Sequence, residues 1–372
     1  MTKRYRGGQG DDKVGSGAAA PRRRARKADM RAGLDRRELI AAVCQAFCKG
    51  TPASQIRDEV SREFGIADMS REEPYRLLAH AAVSGWLQYR APLEQALRLR
   101  VREAHPWLED VEVVHTAVAD DVAQCAARVL LGMIQRLVLQ RRQAEVHVGF
   151  AGGSSMRGLA LAFAPLLRQP STNLPERIVF HSMAAGFDVF DPTMDPNSFF
   201  AYFQKDAAMI TSTAFVGLQA PSLVRTSHMA ELKELEGIRE SYKLAGALDI
   251  IVTSASQRSD DHNRLRDYMR KAPAALARLE RAGWVGDVMW RPISAEGPIE
   301  IETQIRAMTL KELSELPAFI ANGKKVLLML GPCSACHKPK TDLLKVLLAM
   351  KPPLMTHLVV DSRTARPLFG AA

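Results

Sequence analysis

The sequence contains few cysteines, few aromatic residues and no long apolar run. Its 372 residues include 5 cysteines, and 6% of the residues are aromatic. An odd and sparse set of cysteines argues against a disulfide framework and fits a reducing compartment. We find no run of about 18 apolar residues and no apolar signal segment at the N-terminus, so we expect neither a membrane span nor export. These absences indicate a soluble cytoplasmic protein.

Positive charge is concentrated at the N-terminus. Residues 1–37 contain twelve Lys or Arg and four Asp, interleaved with Gly, Ser and Ala. Such a segment has little apolar surface to bury, so residues 1–35 are predicted to form a disordered basic arm. Two roles stay open for this arm: a solubilising tail, or a segment that follows a polyanion such as the DNA backbone.

Three short helical patterns follow the arm. Residues 34–50, 51–65 and 70–84 carry apolar residues at helical spacing, and each pattern ends near a glycine. The segment WLQY, 86–89, looks like a short strand. We therefore predict a helix-turn-helix domain with a small wing over residues 36–91, followed by a linking helix within 92–110.

From residue 111 onward, apolar strands alternate with helical patterns. Segments such as EVHVGFA, ERIVFHSM, LDIIVTSA, KVLLMLG and LMTHLVVD read as buried strands. This alternation predicts an α/β domain over residues 111–372, built on a largely parallel sheet that is covered on both faces.

The stretch VHVGFAGGSSM predicts a strand, a tight glycine turn and a helix start. Gly152 and Gly153 leave backbone N–H groups open to approach, while Ser154 and Ser155 add hydroxyl donors at the positive end of a helix. A phosphate could bind there. A plain strand-to-helix turn capped by a serine explains the same residues.

The order of these motifs resembles the SorC family of bacterial transcription regulators. The resemblance is carried by VGFAGGSS, LDIIVTSA with GWVGDVMWRPISAEG, MTLKELSELPAFIANGKKVLLMLG, KTDLLKVLLAMKPPLMTHLVVDSRTARPLF and, in front, MSREEPYRLLAHAAVSGWLQY. It covers about residues 36–370. It implies a winged-helix-like DNA-binding domain and a larger Rossmann-like α/β effector domain of the phosphosugar isomerase and CoA-transferase type. That domain would sense a sugar or sugar phosphate and change how a dimer or tetramer holds operator DNA at the nucleoid.

The resemblance also implies site residues. It assigns the effector phosphate to Gly152, Gly153, Ser154 and Ser155. It assigns the cation that completes the phosphate site to Lys340. If the long loop before Lys340 shifts the alignment with the family, the cation is Lys338 instead. Asp287 would accept hydrogen bonds from sugar hydroxyls. A surface lysine and a turn aspartate are the alternatives.

The predicted DNA contacts lie on the third helix and the wing. They are Ser70, Arg71, Tyr75, Arg76, His80, Gln88 and Arg90. Glu72 and Glu73 depart from the family pattern and repel phosphate, which leaves base specificity open. Pro74 fits only if the helix begins at about Glu72 or Glu73, where a missing N–H costs nothing.

The segment CSACH, 333–337, matches the pattern for covalent haem attachment. That chemistry belongs to exported proteins, so we expect no haem. A zinc site would need two further ligands, and neither a second CxxC nor a histidine pair is evident, so we assign no metal. A redox-sensitive pair stays open, and Cys44 and Cys48 are predicted to be core residues.

Two other classes of function compete with a sensor. A phosphosugar isomerase or deaminase would need a positioned acid and base, for which His181 with Asp188 or Asp191 are candidates. These do not assemble into a defined pair, so we expect no enzyme activity and no cofactor. An architectural nucleic-acid-binding protein explains the arm but leaves the glycine turn without a role.

Overall fold

The computed structural model describes residues 35–66, 69–168, 173–186, 191–204, 211–301 and 303–370. The chain divides into two units, the first ending at Tyr89 and the second beginning at Arg90. The split lies within two residues of the predicted end of the helix-turn-helix domain. Apart from Asp35, the predicted basic arm lies outside the described residues.

The described part of the first unit contains three helices, α1 (Arg36–Cys48), α2 (Ala53–Phe64) and α3 (Glu73–Val83). Asp35 and Glu38 form a capping box at the start of α1, because each side chain accepts a hydrogen bond of 2.8 Å from the backbone N–H of the other. Pro74 lies in the first turn of α3, as the sequence predicts, where its missing N–H is tolerated.

Apolar residues from all three helices form the core of this unit. Its buried members are Leu39, Ile40, Val43, Cys44, Ala46, Ile56, Val60, Ile66, Met69, Leu77 and Ala81. The core prediction is right for Cys44 and wrong for Cys48, which is exposed. Cys48 is the last residue of α1, and the buried face of that helix ends at Ala46.

The predicted wing does not form in the described part of the first unit. After α3, the N–H groups of Trp86 and Leu87 both donate to the carbonyl of Ala81, which turns the chain back on the helix. Trp86 is 49% exposed and Tyr89 is 70% exposed. A strand needs a partner for its backbone groups, and no described strand of this unit supplies one.

The second unit is built on a mixed sheet whose main body is parallel. Its strands are β1 (Asp110–Val114), β2 (Glu145–Phe150), β3 (Arg177–Ser182), β4 (Ser212–Val216), β5 (Leu223–Arg225), β6 (Ile250–Gln257), β7 (Gly286–Val288), β8 (Arg291–Ser294), β9 (Gly297–Pro298), β10 (Ile305–Ala307), β11 (Lys325–Leu330) and β12 (His357–Asp361). The strands in the interior of the sheet are buried over most of their length, as expected for a sheet covered on both faces.

The parallel strands lie in the order β4, β3, β2, β6, β11, β12, β1. Each neighbouring pair along this order is parallel. The chain runs from β2 towards one edge through β3 and β4, and later from β6 towards the other edge through β11 and β12. The strand order therefore reverses between β2 and β6. At the end of β6, the strands β7, β8 and β9 extend the sheet in antiparallel fashion, and β10 pairs with β5 separately.

The described part of the second unit also contains α-helices. They are α4 (Gln95–Ala104), α5 (Ala119–Arg141), α6 (Ser154–Phe163), α7 (Pro196–Phe199), α8 (Met229–Glu234), α9 (Ile238–Leu244), α10 (Arg264–Met269), α11 (Pro273–Arg281), α12 (Leu316–Ala321), α13 (Thr341–Ala349) and α14 (Ser362–Ala365). The helix predicted as a linker is α4, and it belongs to the second unit, where Leu97 and Val101 join the core.

The helix α5 is long and apolar enough to cross a membrane by length and composition. Half of its most apolar window is buried inside the unit, where residues such as Leu130 and Ile134 are fully covered. Such burial is typical of the central helix of a folded domain. Beneath the start of α6, Phe150, Phe163, Phe180 and Phe203 form an aromatic cluster that supports the end of β2.

Candidate functional site

A cavity lies at the carboxyl ends of the parallel strands, where the strand order reverses between β2 and β6. Ligands bind at this position in open α/β sheets, because the loops after the two strands part in opposite directions and leave a crevice. The cavity has a volume of about 260 Å³, near the lower end of the usual range of about 300–1,000 Å³ for small-molecule sites. A single sugar ring suits this space better than a dinucleotide.

The loop after β2 supplies the predicted glycine turn. Gly153 has a φ of 107°, which residues with a side chain rarely adopt, and a Cβ on Gly152 would lie 3.1 Å from the carbonyl oxygen of Met194. Ser154 and Ser155 then open α6, whose first N–H groups have no acceptor within the helix. The N–H of Gly153 is already used, because it donates to the Met194 carbonyl at 2.9 Å. All four predicted residues line the cavity.

The two candidate lysines occupy different environments. Lys340, just before α13, is 6% exposed and lines the cavity, and its Nζ donates to the carbonyl of Ala255 at 2.9 Å. Burial lowers the pKa of its ammonium group, and the carboxylate of Asp260 acts against that shift. Lys338 is exposed, lies 3.8 Å from the Asp261 carboxylate and does not line the cavity. The geometry therefore favours Lys340 over Lys338.

Asp287 also lines the cavity. The strand β7 folds back along the end of β6 and places Asp287 opposite Ser256. The side chain is 6% exposed, and its Oδ2 accepts a hydrogen bond of 2.9 Å from Asn263 Nδ2. Burial raises the pKa of Asp287 to about 7, although Asn263 and Lys340 act in the opposite direction. Near neutral pH this carboxyl group can therefore accept a hydrogen bond from a ligand or donate one.

The loop between β6 and α10 contributes cavity residues that the sequence analysis missed. Asp260, Asp261 and His262 line the cavity together with Arg264 at the start of α10. A signal for them exists, because the run SDDHN follows a buried parallel strand directly, and strand ends of this kind meet at the ligand crevice.

The CSACH segment also reaches the cavity. Cys333, Ser334 and Ala335 line it, and Ser334 Oγ lies 3.1 Å from Ser154 Oγ at the start of α6. This segment follows β11, the neighbour of β6 in the sheet. The loop after β11 therefore lies next to the loop after β6 and bonds to the loop after β2.

Two further wall residues, Met289 and Trp290, connect β7 to β8. Their φ values are 50° and 64°, which side-chain-bearing residues seldom adopt, yet both side chains are buried. Both residues line the cavity. Local backbone strain of this kind is concentrated at ligand sites, where surrounding structure holds it in place. Nothing in the sequence predicts it, since neither residue is a typical turn former.

Of the residues proposed for an enzyme, the two that the structure describes, His181 and Asp191, do not line the cavity. His181 is fully buried inside the sheet, where its Nε2 lies 2.8 Å from His147 Nδ1. Burial, reinforced by His147, lowers the pKa of His181 to about 4. Asp191 is hydrogen-bonded to the N–H and hydroxyl of Thr193 and does not line the cavity. Asp188 lies outside the described residues.

The exposed side of α3 carries three of the seven predicted DNA contacts. Arg76 and His80 share one face with Val83, which is 90% exposed, and Tyr75 is exposed on the neighbouring side of the helix. The guanidinium of Arg76 lies 3.5 Å from the Glu72 carboxylate, a fully solvated pair that a phosphate could replace. Of the remaining candidates, Ser70, Arg71 and Gln88 are exposed in the first unit, and Arg90 is exposed in the second.

The helical unit itself carries no excess of positive charge. Residues 35–89 contain seven Lys or Arg and eight Asp or Glu. Residues 1–34 contain ten Lys or Arg and three Asp. The arm therefore contributes more to electrostatic attraction of a nucleic acid than the net charge of the three helices does.

Several solved structures that are similar to this chain are transcription regulators. No known family profile matches the sequence, and no curated protein matches it. The full-length sorbitol operon regulator SorC from Klebsiella pneumoniae is 14% identical, with 90% of this chain and 98% of that chain covered at a TM-score of 0.57. A DeoR family transcriptional regulator from Listeria monocytogenes is 19% identical, with 73% and 97% covered at a TM-score of 0.53.

A third structure extends the same pattern. The sugar-binding domain of a transcriptional repressor from Vibrio fischeri is 15% identical, with 74% of this chain and 98% of that chain covered at a TM-score of 0.53. Identities this low establish the fold. The chain has the fold of the SorC and DeoR class of transcription regulators with a sugar-binding domain, and the α/β class with a largely parallel sheet that the sequence predicts is confirmed.

Proposed function

We propose that this chain is a bacterial transcription regulator whose α/β unit binds a sugar or sugar phosphate and whose first unit and basic arm bind operator DNA. It would act in the cytoplasm at the nucleoid, as a dimer or tetramer. A two-fold arrangement matches a palindromic operator, because each copy then meets the same half-site.

One observation carries this proposal. Three segments that are distant in sequence bring the Gly152–Ser155 turn, Asp287 and Lys340 to one cavity. The helix start and the buried ammonium group suit an anion, and the carboxyl group of Asp287 suits hydroxyls. A sugar phosphate presents both chemistries at once.

Acidic groups outnumber basic ones around this cavity. Its lining includes the carboxyl groups of Asp260, Asp261, Asp267 and Asp287 against the cations of Lys340 and Arg264. Hydroxyl groups pair well with carboxylates, whereas a phosphate needs the cations and the helix start. Both unphosphorylated and phosphorylated sugars therefore belong in any ligand search.

Regulation would follow from a shift between two states of the assembly. A ligand can shift DNA affinity only if it binds one state better than the other. The turn after β2 and the loop after β11 are joined by a contact of 3.1 Å between Ser154 Oγ and Ser334 Oγ. A ligand that binds both segments would strengthen this weak connection.

The test is a thermal-shift screen against sugars and their phosphates. A ligand at about 100 times its Kd stabilises the folded state by roughly 2.7 kcal/mol, which is readily measured. The Ser155→Asp variant places a carboxylate beside the proposed phosphate position and should abolish the shift, while Ser314→Asp, at an exposed serine remote from the cavity lining, should leave it unchanged. A thermal shift that is unchanged in Ser155→Asp would show that the phosphate does not bind at this turn.

An enzyme is the second candidate, because Asp287 has the properties of an acid–base group. A buried carboxyl whose pKa is raised to about 7 can exchange a proton with a substrate near neutral pH. The hit from the screen should therefore be incubated with the protein and followed by NMR, which detects isomerisation without a change of mass. Turnover of the ligand by the wild type that is lost in Asp287→Asn would show that the protein is an enzyme and would contradict the proposed sensor function.

A further inference from the structure

Four side chains capable of binding a metal meet at one wall of the cavity. They are Asp260 and His262 from the loop after β6, and Cys333 and Cys336 from the loop after β11. The strands β6 and β11 are adjacent and parallel, so their loops leave the same edge of the sheet side by side. The fold thereby joins a D-x-H pair to a C-x-x-C pair that lies about seventy residues away in sequence.

The ligand atoms are already close to metal-binding distances. Cys333 Sγ lies 3.6 Å from His262 Nδ1, Cys336 Sγ lies 3.9 Å from Asp260 Oδ1, and the latter lies 3.2 Å from His262 Nδ1. All four atoms lie within 4.8 Å of one another. Zinc bonds of about 2.0–2.3 Å in a tetrahedron imply ligand separations of about 3.3–3.8 Å, so a small contraction completes the site.

The surrounding backbone holds these ligands in place. The N–H of His262 donates to Asp260 Oδ1 at 2.9 Å, which fixes the carboxylate towards the loop interior. The N–H groups of Ala335 and Cys336 are directed at Cys333 Sγ, a support that metal-bound sulfur atoms commonly receive. Cys333 and Asp260 are buried, while His262 is half-exposed and leaves a path for an ion to enter.

We propose that Cys333, Cys336, His262 and Asp260 form a tetrahedral zinc site. Two thiolates with an imidazole and a carboxylate select zinc among the common divalent ions, because magnesium and calcium prefer oxygen ligands alone. With four protein ligands the site is closed, so the ion would act by tying the β6 loop to the β11 loop rather than by activating water.

This site has a consequence for the cavity. Asp260, His262 and Cys333 line the cavity, and the β11 loop also carries Ser334, which contacts Ser154 in the glycine turn. A zinc ion would therefore fix one wall of the cavity against the sheet. The metal site rests on the four ligands alone and does not depend on the identity of the effector.

Cobalt substitution tests this proposal on the full-length chain. Reduced, metal-free protein would be titrated with Co²⁺, whose tetrahedral thiolate complexes absorb strongly in the visible range and show a charge-transfer band in the near ultraviolet. We expect one equivalent to bind with both signals, and one equivalent of zinc to displace it. Protein that is fully reduced by thiol titration and yet gives no such spectrum would overturn the proposal.

Matched variants identify the ligands. Cys336→Ser and His262→Asn should each lose the tetrahedral spectrum, with folding checked by circular dichroism. Cys48→Ser, at an exposed thiol of the first unit, and His337→Asn, at a histidine of the same β11 loop, should keep it. His337 has a φ of 56°, which asparagine tolerates. An unchanged spectrum in His262→Asn, or its loss in His337→Asn, would contradict the assigned ligand set.

Discussion

The two units present their candidate binding groups in opposite ways. On α3, Tyr75, Arg76 and His80 are exposed on the convex outer surface of the helix. In the α/β unit, Lys340 and Asp287 are each 6% exposed and face a cavity built from loops that are distant in sequence. A convex helix gains affinity mainly from solvated charge, whereas a cavity gains it from desolvated groups fixed by the fold. The same kind of substitution should therefore cost more in the cavity than on the helix.

The largest expected effect concerns the arm, because it holds the positive charge that the three helices lack. Removing residues 1–34 should lower the affinity for random-sequence duplex DNA about 1,000-fold near physiological salt and make the salt dependence shallower. Fluorescence anisotropy across a series of salt concentrations measures both. A full-length variant in which the Lys and Arg residues of the arm are replaced by Gln separates the effect of the arm's charge from the effect of its length. Equal affinity in all three proteins would place DNA binding on the helices.

The next effect concerns the two neighbouring lysines. Lys340→Ala should weaken binding of a phosphorylated hit about 100-fold, because a charge-assisted hydrogen bond in a desolvated site is lost. Lys338→Ala is the matched control and should leave the affinity within about twofold, since an exposed charge in solvent contributes little. Isothermal titration calorimetry gives both values. The reverse outcome would move the phosphate contact to Lys338.

A pH dependence of stability should reveal Asp287. The pKa of this carboxyl is raised to about 7 in the folded chain, so the unfolded chain binds fewer protons between pH 4 and 7 and stability falls as pH rises through that range. Between pH 5 and 7 the loss should be about 2 kcal/mol. Burial lowers the pKa of His181 and of His357 to about 4, which gives a slope of opposite sign.

The diagnostic quantity is therefore the difference between wild type and Asp287→Asn in urea unfolding. The variant has no titrating group at this position, and its amide oxygen can still accept from Asn263. We expect the stability curve of the variant to rise relative to that of the wild type as pH increases from 5 to 7. Parallel curves would show that Asp287 titrates in its ordinary range.

The smallest expected effect lies on the exposed helix face. Arg76→Gln should weaken DNA binding about tenfold and reduce the salt slope by about 1, because one phosphate contact is lost. Arg62→Gln, at an exposed arginine of α2, is the matched control. A 100-fold loss in Arg76→Gln would indicate a desolvated base contact and would make the helix face resemble the cavity.

Much of the fold could be predicted from the sequence, because strand and helix patterns are local. The strands β2, β6, β11 and β12 fall where apolar runs predict them, and the glycine turn opens α6 as its residues require. The prediction of a wing was wrong because a strand needs a pairing partner, and no local sequence pattern shows whether one is present. The prediction that Cys48 is a core residue was wrong because helical spacing alone does not show where the buried face of a helix ends.

The cavity was only partly predictable for a related physical reason. The residue types of Gly152–Ser155 are enough to predict a binding turn. Asp260 and His262 belong to the site only because β6 lies beside β11 in the sheet, which the sequence does not show. The four residues proposed to bind zinc illustrate the limit most clearly. The sequence shows one cysteine pair and no second pair of ligands, and the missing half comes from a neighbouring strand end rather than from a recognisable spacing.

One measurement tests the proposed function most directly: the affinity for DNA from the region upstream of the chain's own gene, with and without the sugar phosphate found in the screen. We predict that the ligand changes the affinity of the wild type by at least about fivefold, the lower end of usual coupling between sites, and leaves Lys340→Ala unchanged. An affinity that is the same with and without bound ligand in the wild type would contradict a sensor that couples this cavity to DNA.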